Sequence, residues 1–148
     1  MPSTHSSLHY HLVFSTKDRY PFLTEPIRAR LHAFLGGSVR TLGGVAEAVG
    51  GTADHVHMLV SLRTTQCLAE VLKDIKQASS TWLHDELRIP KFAWQEGYGA
   101  FTVSASQIEG VKRYIAEQEF HHRKRSFQDE YLQLLGKSGV SFDPRYLW

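Results

Sequence analysis

An α+β fold is predicted for this chain by three features of its sequence. Leu8, Tyr10, Leu12 and Phe14 alternate with His9, His11, Val13 and Ser15, and a second clear alternation runs from His55 to Leu62. Such a period of two is the pattern of a strand with unlike faces. Two longer stretches, 25–42 and 67–87, carry their apolar residues at helical spacing instead. With the short strands placed between them, the elements follow as β-α-β-β-α-β. This is the ferredoxin-like order, one antiparallel sheet with two helices packed on one face.

The elements can be taken in sequence. After the first strand, Thr24-Glu25-Pro26 opens a helix, with Thr24 as N-cap and Pro26 in the first turn. That helix runs to about Leu42 although Gly36-Gly37 weakens it, and Gly43-Gly44 ends it. Val45 to Val49 reads as a short strand, Gly50-Gly51 as a turn, and His55 to Leu62 as the next strand. In the second helix Leu68, Val71, Leu72, Ile75, Ala78, Ser79 and Trp82 form one stripe. A loop containing Pro90 and Gly97 precedes a strand around Ala100 to Val103. Ser104 to His122 is predicted as one helix with Ile108, Val111 and Ile115 on its apolar face. Ser126 to Leu135 is a short final helix, and Val140 to Trp148 an irregular tail. No repeat or linker interrupts the pattern, so residues 1–148 are expected to form a single domain.

Strand phase assigns faces. Val56, Met58 and Val60 should look toward the helices, as should Tyr10, Leu12 and Phe14. His55, His57, Leu59 and Ser61 then point to the other face, which is expected to be open. His9 and His11 share that face, because the first and third strands are neighbours in this order. Four of the chain's nine histidines therefore gather on one sheet face.

Composition limits the function classes. The 148 residues are 42% hydrophobic and 22% charged, enough for a core without staples. One cysteine, Cys67, excludes an intrachain disulfide and any cysteine-based zinc site. No signal-peptide pattern or membrane-length apolar run is present, so a soluble cytoplasmic protein without a membrane partner is expected. Net charge is only +2, but His121-His122-Arg123-Lys124-Arg125 is a compact basic run. It suits phosphate neutralisation, and equally a solvated helix end whose cations oppose the dipole.

His55-Val56-His57 places two imidazoles on one side of a strand, about 6 to 7 Å apart at their Cα atoms. That spacing suits two ligands of one metal ion. His9-Tyr10-His11 has the same spacing, so geometry alone leaves both pairs open. Tyr114 and Gln118 lie four apart, hence one above the other on a helix that carries the basic run at its end.

Asp54-His55-Val56-His57-Met58-Leu59-Val60 with Tyr114-Ile115-Ala116-Glu117-Gln118 resembles the HUH single-tyrosine transposases of the insertion-sequence-200-like type, REP-associated tyrosine transposases included. Tyr10-His11-Leu12-Val13-Phe14-Ser15-Thr16-Lys17 and Trp94-Gln95-Glu96-Gly97-Tyr98 resemble the same family, so the likeness covers almost the whole chain. It implies Tyr114 as nucleophile, His55, His57 and Gln118 as metal ligands, and no such role for His9 and His11. It further implies Mg²⁺ or Mn²⁺, no nucleotide cofactor, and a bacterial or archaeal protein associated with the nucleoid. The substrate implied is single-stranded DNA with hairpin ends, cut and rejoined through a 5′-phosphotyrosine. The assembly implied is a homodimer with active sites shared in trans.

Lys17, Arg123, Lys124 and Arg125 are candidate phosphate contacts. Trp94 is a candidate for base stacking or for the core, and His11 for a phosphate contact or a sheet hydrogen bond. Three rival readings are a non-catalytic nucleic-acid-binding module on the same fold, a metal-dependent hydrolase using water, and a domesticated relative acting on chromosomal repeats. The first is disfavoured because histidines, and not aromatics, occupy the outward strand phases.

Overall fold

The computed structural model describes residues 3–148. Strand β1 (His9–Ser15) is followed by helix α1 (Glu25–Thr41), strands β2 (Val45–Gly51) and β3 (His55–Ser61), helix α2 (Leu68–Asp85) and strand β4 (Gly99–Val103). Three further helices follow: α3 (Ile108–Ala116), α4 (Gln118–His122) and α5 (Phe127–Lys137). The strands form one antiparallel sheet in the order β2-β3-β1-β4, the arrangement the patterning predicts.

Face assignment follows the strand phases. Leu12, Phe14, Val56, Met58 and Val60 are buried with Leu31, Leu35 and Val39 of α1 and Val71, Leu72, Ile75 and Leu83 of α2. Phe34 and Trp82 stack at 4.6 Å between ring centroids, joining the two helices. This is the main core. Trp94 belongs to it: its indole N–H donates to Ser79 Oγ at 3.0 Å and its ring meets Phe14 edge-on. That placement removes Trp94 from the base-stacking candidates.

Four local expectations are corrected. The second sheet face is not open, because Leu59, Val103 and Ile115 are buried there together with Ala48, Ile108, Val111 and Tyr114. Gly50 and Gly51 belong to β2 and pair with His57 and Val56, so the turn to β3 falls after them. The helix expected from 104 to 122 is broken at Glu117, whose φ of −100° and ψ of 21° separate α3 from α4. Thr24 holds the N-cap position but its hydroxyl makes no capping bond. Gly43 does what its position suggests: at φ 99° it turns the chain out of α1 while Gly44 N–H bonds Val39 O at 3.0 Å.

Gly50 sets how closely α3 approaches the sheet. A β-carbon there would lie 2.3 Å from Ile115 O and 2.9 Å from Ile115 Cγ2. The first of these atoms is backbone, so only a shift of the helix could make room. Gly50→Ala is therefore expected to destabilise by about 1–3 kcal/mol, a Tm loss of roughly 3–10 °C in a thermal melt. An unchanged Tm would contradict the close approach of α3 to β2.

Candidate metal and nucleophile site

The antiparallel register sets Val13 opposite His57, Ser15 opposite His55 and His11 opposite Leu59. The three histidines His11, His55 and His57 thus share the face covered by α3 and its successors. His55 and His57 are fully buried and His11 is 5% exposed. Each of the paired imidazoles has its Nδ1 engaged from outside. His57 Nδ1 lies 2.7 Å from His11 Nε2, while His55 Nδ1 lies 2.8 Å from Asp54 Oδ1 and 3.0 Å from Thr52 Oγ1. Both Nε2 atoms are left turned inward, the arrangement by which outer partners orient metal-binding imidazoles. Burial holds His57 down at about 4 and His11 at about 3, the latter helped by the neighbouring His57. Both rings are therefore neutral at neutral pH, as ligands must be.

From the other side come α3 and α4. Gln118 Oε1 reaches His55 Nε2 at 3.1 Å, and Gln118 is 1% exposed. The Tyr114 ring meets His57 edge-on at 5.7 Å between centroids and stacks on His121 at 4.8 Å. The structure thus brings Tyr114, His55, His57 and Gln118 together within a single chain. The arrangement in trans expected above places a second chain's tyrosine helix there; one chain by itself already seats its own Tyr114 on its own histidines.

Glu130 of α5 completes the site, and sequence reasoning missed it. Its carboxylate is fully buried. Oε1 lies 2.8 Å from His57 Nε2, 3.2 Å from His122 Nε2 and 3.7 Å from His55 Nε2. Oε2 accepts from the Tyr114 hydroxyl and, at 3.3 Å, from Gln118 Nε2. Burial alone would raise the Glu130 carboxyl, but hydrogen bonds from His122 and His57 hold it far below the usual carboxylate range. Tyr114 is pushed up instead, first by burial and then by the Glu130 carboxylate that accepts its proton bond. Arg125 opposes this, since its guanidinium donates to the Tyr114 oxygen at 3.3 Å.

His55, His57, His122 and Glu130 each offer one donor atom, all within 4.8 Å of one another, a group able to hold a divalent metal ion. His122 also escaped the sequence reading, although it continues the Tyr114, Gln118 face by one more step of four. Glu130 had a signal too: it interrupts an apolar stripe with Phe127, Leu134 and Leu135.

The other candidates are dispersed. Lys17 is exposed on the turn after β1, and Arg123 and Lys124 are exposed after α4, with the Lys124 ammonium over the Phe120 ring at 4.8 Å. Arg125 alone of the four turns into the site. His9 Nδ1 lies 3.3 Å from Glu47 Oε1, away from the site.

Residues 4–118 match the sequence profile of the family described as "Transposase IS200 like". The chain belongs to the IS200-like transposase family. The matched segment includes Tyr114, His55 and His57 and closes on Gln118, leaving His122 and Glu130 beyond it. Solved structures share the fold. A protein from Deinococcus radiodurans R1, provisionally classed as a transposase, aligns over 80% of this chain and 95% of its own at 24% identity and a TM-score of 0.64. A REP-associated tyrosine transposase bound to a REP hairpin aligns over 82% of this chain and 74% of its own, at 12% identity and a TM-score of 0.60. No curated protein matches this IS200-like chain.

Proposed function

We propose that this transposase cleaves and rejoins single-stranded DNA through a covalent bond to Tyr114. The observation that carries the reading is the meeting of Tyr114 with the inward-turned Nε2 atoms of His55 and His57 in one buried cluster. The phenol oxygen attacks the scissile phosphorus, the bond to the 3′-oxygen breaks, and the proton leaving the phenol is balanced by the one gained at that oxygen. The product is a 5′-phosphotyrosine with a free 3′-hydroxyl. Because a phosphodiester has been exchanged for another, a second 3′-hydroxyl can reverse the step without ATP.

Tyrosine has an ordinary pKa of about 10 and attacks poorly while protonated. A bound divalent cation, Mg²⁺ or Mn²⁺, would supply positive charge at the phosphate oxygens. His55, His57 and Gln118 fit as its holders: two imidazoles and an amide oxygen share one buried pocket. Arg125 neutralises charge beside the phenol oxygen, and Lys17, Arg123 and Lys124 offer phosphate contacts along the approaching strand. Hairpin-ended DNA is the proposed substrate, supported by the hairpin held by a structural relative. The whole chain, 1–148, is taken as one working unit acting in the cytoplasm at the nucleoid. Among the described residues no helix is long and apolar enough to cross a membrane.

The test of this reading is a denaturation-resistant protein–DNA adduct after incubation with hairpin-bearing single-stranded DNA and Mn²⁺. A binding module forms none, and neither does a hydrolase using water. A homodimer is proposed with it, and complementation tells how its sites are shared. Tyr114→Phe and His57→Ala proteins are mixed under conditions that allow subunit exchange. Sites built within one chain, which the geometry above supports, leave every site with one defect and the mixture inactive. Recovered cleavage would establish sharing in trans.

A further inference from the structure

Helix α5 lies outside the segment that matches the family profile, yet its Glu130 sits at the centre of the site. Glu130 Oε1 occupies the point on which three imidazole Nε2 atoms converge, at 2.8, 3.2 and 3.7 Å. Gln118 Oε1 stands 3.1 Å from two of the same nitrogens, those of His55 and His122. These separations have a simple geometric meaning. With metal–ligand bonds of about 2.1 Å, neighbouring donors are about 3.0 Å apart on an octahedron and about 3.4 Å on a tetrahedron. Several of these separations match the edges of such a shell, and the wider ones would close by a fraction of an ångström to about one ångström on binding an ion.

Charge supports the same conclusion. A fully buried carboxylate faces three imidazoles, and the nearest Arg or Lys nitrogen to it is Arg125 Nη2, 4.0 Å from Oε2. The carboxylate's hydrogen bonds from His57, His122, Tyr114 and Gln118 offset part of the cost of burying that anion, and a dication among these donors would compensate its charge directly. The donor types then decide which dication. Imidazole nitrogens in a buried pocket suit Co²⁺ and Zn²⁺ and are tolerated by Mn²⁺ beside a carboxylate, whereas Mg²⁺ prefers an oxygen octahedron and gives up its water reluctantly.

We propose that Glu130 and His122, from beyond the matched segment, join His55, His57 and Gln118 as ligands, giving a site of three imidazoles, one carboxylate and one amide that selects Mn²⁺, Co²⁺ or Zn²⁺ over Mg²⁺. The inference rests on the metal-bearing reading above and deepens it, naming the class of ion. It also makes the ion a cross-link between β3 and α5, where Phe127 already stacks on His55 at 4.4 Å between ring centroids.

The experiment measures metal binding without DNA. Chelator-stripped protein is titrated with Co²⁺ by visible absorption, and with Mn²⁺ and Mg²⁺ by calorimetry. Mn²⁺ and Co²⁺ are expected to bind at least about a hundredfold more tightly than Mg²⁺. Glu130→Gln keeps the shape and removes the charge, and should weaken Co²⁺ and Mn²⁺ about tenfold or more. A second measurement needs no variant: saturating Mn²⁺ should slow backbone hydrogen exchange across 127–137 in the wild-type chain. Equal affinity for Mg²⁺ overturns the selectivity, and wild-type affinity in Glu130→Gln or unchanged exchange in α5 overturns the ligand assignment. If His57→Ala loses binding while Glu130→Gln keeps it, this inference fails and the histidine metal site stands. If neither variant changes binding, both fail.

Discussion

Tyr114→Phe protein, incubated with cleavable hairpin DNA and Mn²⁺, forms covalent adduct more than about a thousandfold more slowly than wild type, below detection on a denaturing gel. The substitution removes one oxygen from a half-buried ring. Its contacts with His57, His11 and His121 are made by the ring and survive. Glu130 Oε2 loses the hydroxyl but keeps Gln118 Nε2 at 3.3 Å, with Arg125 at 4.0 Å. The net stability change should stay within about 1–2 kcal/mol, and DNA affinity should be close to wild type. Chemistry and folding are thereby separated in one variant. An adduct that persists would move the nucleophile to another tyrosine, and Tyr98 and Tyr131 are the next to replace.

Removing the metal should be nearly as damaging. Chelator is expected to stop wild-type cleavage, and added Mn²⁺ to restore it. His55→Ala and His57→Ala should each lose about a hundredfold or more, and Gln118→Ala about tenfold, because an amide oxygen is a weaker donor than imidazole. The histidine variants also open cavities in a buried cluster, so their melting curves belong beside their rates. His57→Ala in addition takes from Glu130 Oε1 its 2.8 Å partner, leaving His122 Nε2 at 3.2 Å. The chelator arm is free of that complication. Undiminished cleavage in chelator would remove the metal from the mechanism.

The division between what the sequence disclosed and what it hid follows from range. Strand alternation is a local property, and it correctly set His55 and His57 opposite Val56 and Met58. The spacing of Tyr114 and Gln118 is equally local, and both reach the site. What covers that face is decided by contacts between residues far apart in the chain. Glu130 meets His57 across 73 positions, and periodicity places a residue on a side without saying what it will face. The break at Glu117 is silent because no glycine or proline stands there. Trp94 was ambiguous for another reason: an indole before a strand suits a nucleobase and a core alike, and only the Ser79 hydroxyl at 3.0 Å distinguishes them.

The boundary at Gln118 has a practical consequence for anyone dissecting this protein into parts. A fragment trimmed to the matched segment, residues 4–118, would retain Tyr114 and the histidine pair. It would also strip away the aromatic floor that Phe127 lays under His55, the carboxylate between the imidazoles, and the guanidinium beside the phenol oxygen. The segment that matches the family profile is therefore shorter than the set of side chains that surrounds the Tyr114 oxygen, and a cut at the end of the match would dismantle that surround.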